Sequence, residues 1–589
     1  MKISNENISK ILREIAVYLE MQNVPFKPRA YEKAAIAVAN LSEDINEMHK
    51  KGGIKAIEEI EGVGASIAEK IEEIIKTGHL KYYDQLKKKT PVDVSSLMSV
   101  EGLGPKKIKK LYSELKITNV EELERSARVG KIRNLEGFGE KTEENILKSL
   151  EFLKSSGGRF ILGYIMPDIR KIESDFKKLK EVKKIIVAGS IRRRKETIGD
   201  VDILIVSDKP APVMDFFVNM PEVARVMVHG SAKSAVKLKN GLDVDVRVVP
   251  EESYGAALNY FTGSKYHNIA LREIAMKKGF KLNEYGLFKV ADQRRLRRRL
   301  TQKETPIAGR TEEEIYKKLG LDYVEPEMRE NEGEIELAKN NKLPKLIGYN
   351  DLQGDLQIQT NWTDGLNTIE EYAEVAIKKG LKYIVITDHT KRLAMTGGLD
   401  EKKLLKQIAE IEKVNKKLSA EGHKFKVLTG SEVDILKDGT LDLSDKVLSK
   451  LDVCGAAIHS YFNLPKEEQT KRIIRAMENP HVDIIFHPTG RIINRRPAYE
   501  FDIDEIIKAA KRTNTVLEID AFPDRLDLKD DYIRKCVFAG VKLAIDSDAH
   551  LVSHIDFLEF GIAQARRGWA TKNDVINAWP LEKMLKMLK

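Results

Sequence analysis

Cysteine is nearly absent, with only Cys454 and Cys536 in 589 residues. Both lie in apolar, strand-like runs, a setting for buried free thiols rather than a disulfide or a redox pair. Long apolar runs are missing too. No stretch reaches the ~18 residues that a membrane-spanning helix requires. The first residues, MKISNENISKILREIA, lack an apolar signal core with a cleavage pattern. A cytoplasmic protein with no membrane partner is the expectation.

What is present is charge and length. The chain is 42% hydrophobic and 33% charged, with a net charge of +10 and a pI near 9.0. The length calls for about three to five domains. The excess of positive charge favours a polyanionic partner, although a merely basic protein has the same balance. No specific protein partner is implied.

Three segments of the first 155 residues share one pattern: IEEIEGVGASIAEKI (57–71), LMSVEGLGPKKIKKL (97–111) and IRNLEGFGEKTEENI (132–146). Each reads as an apolar helix, a Gly-apolar-Gly turn and a second helix, with glycine pairs Gly62/Gly64, Gly102/Gly104 and Gly137/Gly139. Glycine permits the tight turn and lets backbone N–H groups reach an anion, and the following helix adds its positive end. One such hairpin could be a plain helix–turn–helix; three resemble helix-hairpin-helix motifs, which hold the DNA backbone without reading sequence.

Between residues 155 and 320 the chemistry is most explicit. KKIIVAGSIRRRKETIGDVDILIVS (183–207) runs from an apolar strand through Gly189-Ser190 and an arginine cluster into a second strand. Asp200 and Asp202, spaced i, i+2, share one face of that strand. GLDVDVRVVP (241–250) adds Asp243 and Asp245 on one face of another. Three clustered carboxylates suit Mg²⁺ or Mn²⁺, whereas solvent-facing aspartates at strand ends are the plainer alternative. Gly189, Ser190 and Arg193 would hold a triphosphate. Nucleotidyltransferases in general share this layout.

YFTGSKYHNIALREIAMKKGFKLNEYG (260–286) separates the classes, because it resembles the nucleotide-binding turn of family X DNA polymerases. The resemblance implies that Asp200 and Asp202 bind both catalytic metals. Asp245 holds the one beside the primer 3′-hydroxyl, and Asp243 stands behind. Tyr260 and Phe261 would lie against the incoming sugar, with Gly263 in the nucleotide-binding turn and Asn268 contacting the incoming nucleotide. Arg272 would contact the template strand, and Arg247 is a palm arginine near the carboxylates. Lys265 departs from the mammalian pattern, where an acid stands. RRLRRRL (294–300) is either a solvated helix face or a DNA-backbone contact.

NVPFKPRAYEKAA (23–35), followed by the first hairpin, looks like the lyase domain of the same family. The likeness places Lys70 as the amine nucleophile and Lys27 at a 5′-phosphate, although Lys70 is equally readable as a surface lysine. A further lysine of the mammalian pocket is replaced here by Ser66.

Beyond a linker-like stretch at 321–350, apolar strands alternate with helices: GLKYIVITDH, HKFKVLTGSEVDIL, LDVCGAAIHS, HVDIIFHP, NTVLEIDAF and GVKLAIDSDAH. Such alternation implies a parallel sheet or barrel with functional residues at strand C-terminal ends. His389, Glu432, His459, His487, Asp548 and His550 all sit there. The set resembles the PHP (polymerase and histidinol phosphatase) domain, a distorted barrel that binds three metals and hydrolyses phosphoesters. Its opening His-x-His is Gln357 and Gln359 here, within GDLQIQTNWTDG (354–365), while the Thr363-Asp364-Gly365 turn survives. By resemblance one metal would use the two missing imidazoles with Glu432 and Asp548. A second would use Glu432, His459 and His487, and a third Asp364, His389 and His550. Neutral amides are weak ligands for Zn²⁺ or Mn²⁺, so reduced occupancy and impaired hydrolysis are expected.

The expected architecture is multidomain. A lyase-like helix-hairpin-helix domain (1–90) and a second such domain (91–155) form an all-helical N-terminal region. A mixed α/β nucleotidyltransferase palm (156–250) with a thumb-like nucleotide-selecting domain (251–320), the linker (321–350) and a distorted (β/α)7 PHP barrel (351–589) follow. The expected activity is a DNA polymerase filling short gaps in repair, acting on gapped or primer-template DNA with deoxynucleoside triphosphates. The rival readings are a nucleotidyltransferase acting on a non-DNA substrate and a non-catalytic DNA-end scaffold.

Overall fold

The computed structural model describes residues 3, 5–39, 41, 44–60, 62–100, 102–155, 158–290, 305–393 and 396–588. The arginine block 294–300 lies outside the described residues. Residues 1–157 form one compact unit; Gly158–Ile493 with Ala498–Lys589 forms the other. No described helix is long and apolar enough to cross a membrane.

The first unit is helical. Ile8, Leu12, Ile15 and Leu19 repeat at helical spacing along Asn5–Met21 and are buried with Tyr31, Ala34, Ala35 and Val38 of Lys27–Ala39. The hydroxyl of the buried Tyr18 donates to the Val92 carbonyl at 2.8 Å, tying the first helix to the entry of the second hairpin region. The first two Gly-x-Gly turns join helices Ile45–Glu58 to Ala65–Thr77 and Val94–Met98 to Pro105–Leu115. In the third hairpin, residues 132–136 are turns and not the expected helix. The preceding helix, Val120–Arg128, gives way to Gly130 at φ 71°, and the buried Glu143 carboxylate accepts from the backbone N–H of both Ile132 and Arg133 at 2.9 Å. Those N–H groups are thus satisfied without a helix.

The second unit begins with a five-stranded sheet in the order Lys184–Val187, Asp200–Val206, Asp243–Val249, Lys233–Leu238, Val223–His229. The helices Leu162–Lys177 and Pro210–Val218 bury Phe176, Val213, Met214 and Phe217 in the core that this sheet shares. Helices Tyr254–Thr262 and Lys265–Lys277, a hairpin (Phe280–Asn283 with Gly286–Lys289) and helix Glu312–Lys318 follow. The stretch 321–350 packs into a separate core with Leu271, Leu282 and Leu287 of these elements through Val324, Met328, Ala338 and Leu346, and Trp569 joins them.

Seven parallel strands then run in sequence order: Gly354–Ile358, Tyr383–Ile386, Lys426–Asp434, Val453–Ala457, Ile484–Ile485, Val516–Asp520 and Leu543–Asp546. The first and last meet, because Ala549 bridges Ile358 and its carbonyl accepts from Gln359 N–H at 2.8 Å. Asn577 seals this seam, donating to the carbonyls of Gly354 (2.9 Å) and Ile545 (2.6 Å) and accepting from Ile545 N–H (3.0 Å). Leu356, Val385, Leu428, Val453 and Phe486 share one buried cluster with Ile576, Trp579 and Met584 from the last residues. Cys454 is on a barrel strand; Cys536 is on helix Asp530–Ala539, not a strand, because its neighbours recur at helical spacing. Both thiols are buried. Barrel and palm share apolar core: Ile493, Leu526 and Phe560 belong to the cluster of Leu162, Ile165 and Ile169.

Candidate active sites

In the palm, parallel pairing sets Asp200 opposite Asp243 and Asp202 opposite Asp245, so the four carboxylates stand in two adjacent pairs on one sheet face. The turn before them is equally constrained. Gly189 has φ 61°, and a Cβ there would come within 2.6 Å of Asp202 Oδ2, so only glycine lets the Gly189-Ser190 backbone approach the carboxylate. Burial, reinforced by Asp200 and Asp245, pushes the Asp202 carboxyl up to about 6. Lys233 Nζ lies 3.1 Å from Asp245 Oδ2, and Lys237 Nζ lies 2.7 Å from Asp243 Oδ1. A cluster whose like charges oppose ionisation, held partly in check by lysines, fits divalent cations. The three-residue groups close enough to hold an ion among the described residues lie in the barrel rather than here.

Around this cluster, Arg247 stacks its guanidinium 4.5 Å from the Phe261 ring centre, and Phe261 meets Tyr260 edge-on at 5.1 Å. Asn268 Nδ2 donates to the Tyr260 carbonyl at 2.7 Å, leaving Asn268 Oδ1 buried without a partner. The Asn268 carbonyl accepts from Arg272 Nε at 3.2 Å. Gly263 is at φ 70°, with Arg193 beside it. Arg193 donates to the Thr262 carbonyl and, through Nε, to Glu330 at 3.1 Å. Beneath them lies a network that the sequence reading missed. Glu312 accepts from Arg192 (2.6 Å) and from the fully buried Arg329 (2.5 Å), whose backbone carbonyl accepts from Ser264 N–H at 3.0 Å. Burial opposes the Glu312 charge, but the two arginines bring its pKa down to about 2.

In the helical unit, Gly62, Gly102 and Gly137 have φ of 84°, 78° and 82°. Gly64 and Gly104 are extended N-caps of the following helices. A Cβ at Gly64, Gly102, Gly104, Gly137 or Gly139 would meet no atom within 4 Å. Protein packing therefore does not demand these glycines; at Gly102 and Gly137 the left-handed backbone angle does. Lys27 is exposed, whereas Lys70 Nζ donates to the Ser66 carbonyl (2.8 Å) and lies 5.4 Å from the Tyr82 ring centre.

In the barrel, every sequence-selected ligand sits at the C-terminal mouth. Glu432 is at the centre. Its Oε1 lies 2.9 Å from His459 Nε2 and 2.8 Å from His487 Nε2. Its Oε2 lies 3.4 Å from His389 Nδ1 and accepts from Gln357 Nε2 (3.0 Å) and Gln359 Nε2 (2.7 Å). Burial disfavours the Glu432 charge, but His389, His459 and His487 hold it well below the usual carboxylate range. Burial works against His459 as well, yet Asp434 and Glu432 raise it to about 9; burial and then Arg525 push His487 down to about 4.

Two ligand groups converge: Asp364 with His389 and His550, and His389 with Glu432 and His459. Asp364 Oδ1 and His487 Nδ1 are buried without a hydrogen-bond partner beside imidazole nitrogens that face only Glu432, a donor set that fits cations. The position expected for a further ion differs. There the two amides offer N–H to Glu432, so the carboxylate oxygen is satisfied by protein. Asp548 faces Arg525, whose Nε is 3.6 Å from Asp548 Oδ2 and 3.4 Å from Asp520 Oδ2. The sequence signal for Arg525 was slight: a lone arginine five residues past the end of a barrel strand.

Family models match in four places: a helix-hairpin-helix domain at 3–80, a SAM-like helix-hairpin-helix tandem at 94–151, the DNA polymerase beta thumb at 257–330 and the PHP domain at 355–522. The DNA polymerase/3′-5′ exonuclease PolX of Bacillus subtilis is 38% identical over 592 aligned residues, covering 99% of each chain. The chain belongs to the family X DNA polymerases that carry a PHP domain. About a third of the chain is also similar to phosphatases: a probable phosphatase of Thermoanaerobacter sp. is 33% identical over 221 residues, 36% of this chain and 84% of the relative. One from Caldanaerobacter subterraneus is 32% identical over 195 residues, 31% of this chain and 70% of the relative. The PolX likeness thus spans the chain, and the PHP match at 355–522 includes Glu432, His459 and His487.

Proposed function

We propose that this polymerase fills short gaps in DNA during repair, and that its barrel is a weakened 3′–5′ exonuclease. The observation that carries the polymerase reading is the placement of Asp202 beside Asp245 in register, directly under the Gly189 turn. Mg²⁺ or Mn²⁺ held by Asp200, Asp202 and Asp245 would supply charge neutralisation for phosphoryl transfer. The chain's own residues do the rest. Asp245 accepts or directs the proton of the primer 3′-hydroxyl. Gly189 and Ser190 offer backbone and hydroxyl donors to the triphosphate, and Arg193 adds a cation. Tyr260 and Phe261 crowd the 2′ position of the incoming sugar, with Gly263 allowing close approach. Asn268 and Arg272 would meet nucleotide and template, and Arg247 the DNA end near the carboxylates. The glycine hairpins grip backbone on either side of a gap.

In the barrel, Asp364, His389, His459, His487, His550 and Glu432 would hold Zn²⁺ or Mn²⁺, which supply an activated water for phosphodiester hydrolysis. Gln357 and Gln359 remove the imidazoles that a further ion with Asp548 would use. Lys70 and Lys27 support a further reading, removal of a 5′-deoxyribose phosphate.

The test uses a 5′-labelled primer on a one-nucleotide-gapped template with Mn²⁺, with and without deoxynucleoside triphosphates. Extension with nucleotides, lost in Asp202→Asn and Asp245→Asn, together with little shortening without them, is the expected result. Extension that survives both substitutions defeats the palm assignment. Rapid shortening without nucleotides defeats the weakened-barrel assignment.

A further inference from the structure

One ion-pair chain leads from the barrel to the candidate triphosphate arginine. Arg567, the last residue of barrel helix Leu558–Arg567, has a side chain only 3% exposed. Its Nη1 donates to the Arg193 carbonyl at 2.9 Å and to Glu330 Oε1 at 3.2 Å, and its Nη2 donates to Asp530 of the barrel. The same Glu330 oxygen accepts from Arg193 Nε at 3.1 Å, while Arg193 Nη1 reaches the Thr262 carbonyl. Arg193 is thus held at its backbone by the barrel and at its guanidinium by a carboxylate that the barrel also grips. A guanidinium fork fits this three-way contact in a way an ammonium cannot.

We infer that Arg567 is a positioning residue for nucleotide binding: the barrel, through Arg567 and Glu330, orients Arg193 toward the triphosphate. This rests on the reading that Arg193 contacts the triphosphate. It also gives the barrel a task in synthesis that does not depend on its own metals. A buried guanidinium bridging two carboxylates is a costly arrangement for a surface that merely joins two domains, since removing one partner leaves the others buried and uncompensated.

The experiment is single-turnover insertion of dTTP by the full chain on gapped DNA, separating nucleotide affinity from the insertion rate. Arg193→Ala, Arg567→Met and the double variant are compared. Arg170→Ala, which breaks an exposed palm–barrel pair with Glu559, is the control. Arg567→Met should weaken apparent dTTP affinity by about tenfold with DNA affinity as in the control, while its thermal midpoint falls below the control's because Glu330 and Asp530 lose their shared cation. The double variant should be no worse than Arg193→Ala, since both act through one group. If Arg567→Met fails to fold, Glu330→Gln, which keeps shape and removes the shared charge, should give the same loss. Additive losses, or a loss in Arg193→Ala with none in Arg567→Met or Glu330→Gln, overturn the inference and leave the triphosphate reading standing. Unchanged dTTP affinity in Arg193→Ala itself removes that reading and the inference with it.

Discussion

Gln359 Nε2 donates to Glu432 Oε2 at 2.7 Å, placing an amide N–H against the carboxylate oxygen that an imidazole at this position would leave for a cation. Gln357 does the same from 3.0 Å, so one oxygen of the central acid is engaged twice. The other oxygen, facing His459 and His487, keeps an environment of ligands.

This asymmetry predicts what restoration should do. Gln357→His with Gln359→His should raise bound metal by about one ion per chain and speed primer shortening by at least ~10-fold. Elemental analysis of the dialysed protein and a labelled-primer assay check the two outcomes separately. Unchanged metal content would mean that Arg525, beside Asp548 and Asp520, already occupies the charge of that position.

The buried Glu312 ties acid stability to the turn at Gly263-Ser264 through Arg329. Its pKa falls from 4.5 to about 2 on folding, so its ionised form stabilises the native state. That contribution is complete above the unfolded value near 4.5 and disappears as pH falls from there through 2. By linkage it is worth about 3 kcal/mol at neutral pH. Glu312→Gln should therefore lower urea stability clearly at pH 7 and far less at pH 3, as read from denaturation at both.

The hairpin glycines predict a loss without a clash. Gly102→Ala and Gly137→Ala put a Cβ into open space at φ 78° and 82°, so the cost is backbone strain of about 1 kcal/mol. Binding to duplex DNA should weaken a few-fold, equally for unrelated sequences, in titrations at fixed salt. A sequence-selective loss would contradict phosphate recognition.

Lys70 allows a covalent test. If it attacks a 5′-deoxyribose phosphate, borohydride should trap a protein–DNA adduct that Lys70→Ala abolishes and Ser66→Ala retains. The hydrogen bonds from Lys70 to Ser66 hold the amine in place but do not supply the nucleophile. Trapping undiminished in Lys70→Ala would reassign the amine.

Periodicity made much of this legible. Asp200 and Asp202 alternate on one strand and Asp243 and Asp245 on another, so a face of carboxylates could be read before any pairing was known. The barrel histidines stood at the ends of apolar runs, which is where a parallel barrel presents them. What stayed hidden depended on contacts far apart in sequence. Arg567 and Glu330, separated by 237 residues, look like ordinary surface charges in a chain that is one-third charged. Residues 132–136 read as helix because their apolar spacing allows it; a carboxylate eleven residues away from Ile132 decides otherwise. Cys536 lies on a helix although its surroundings suggest a strand, because a short apolar run carries no period of its own.

The seam at Asn577 carries a consequence for biogenesis. One side chain near the end of the chain clasps Gly354 to Ile545, segments whose meeting defines the closed cylinder. A ribosome reaches residue 577 only after the palm and all seven strands have been made. Until then the seam has the Ala549 contacts to Ile358 and Gln359 but lacks the Asn577 hydrogen bonds, while the palm's own sheet has every strand it needs. Nascent chains arrested at residue 560 should accordingly show a protease-resistant palm sheet beside a barrel that is cut readily, and chains released past 577 should show both protected.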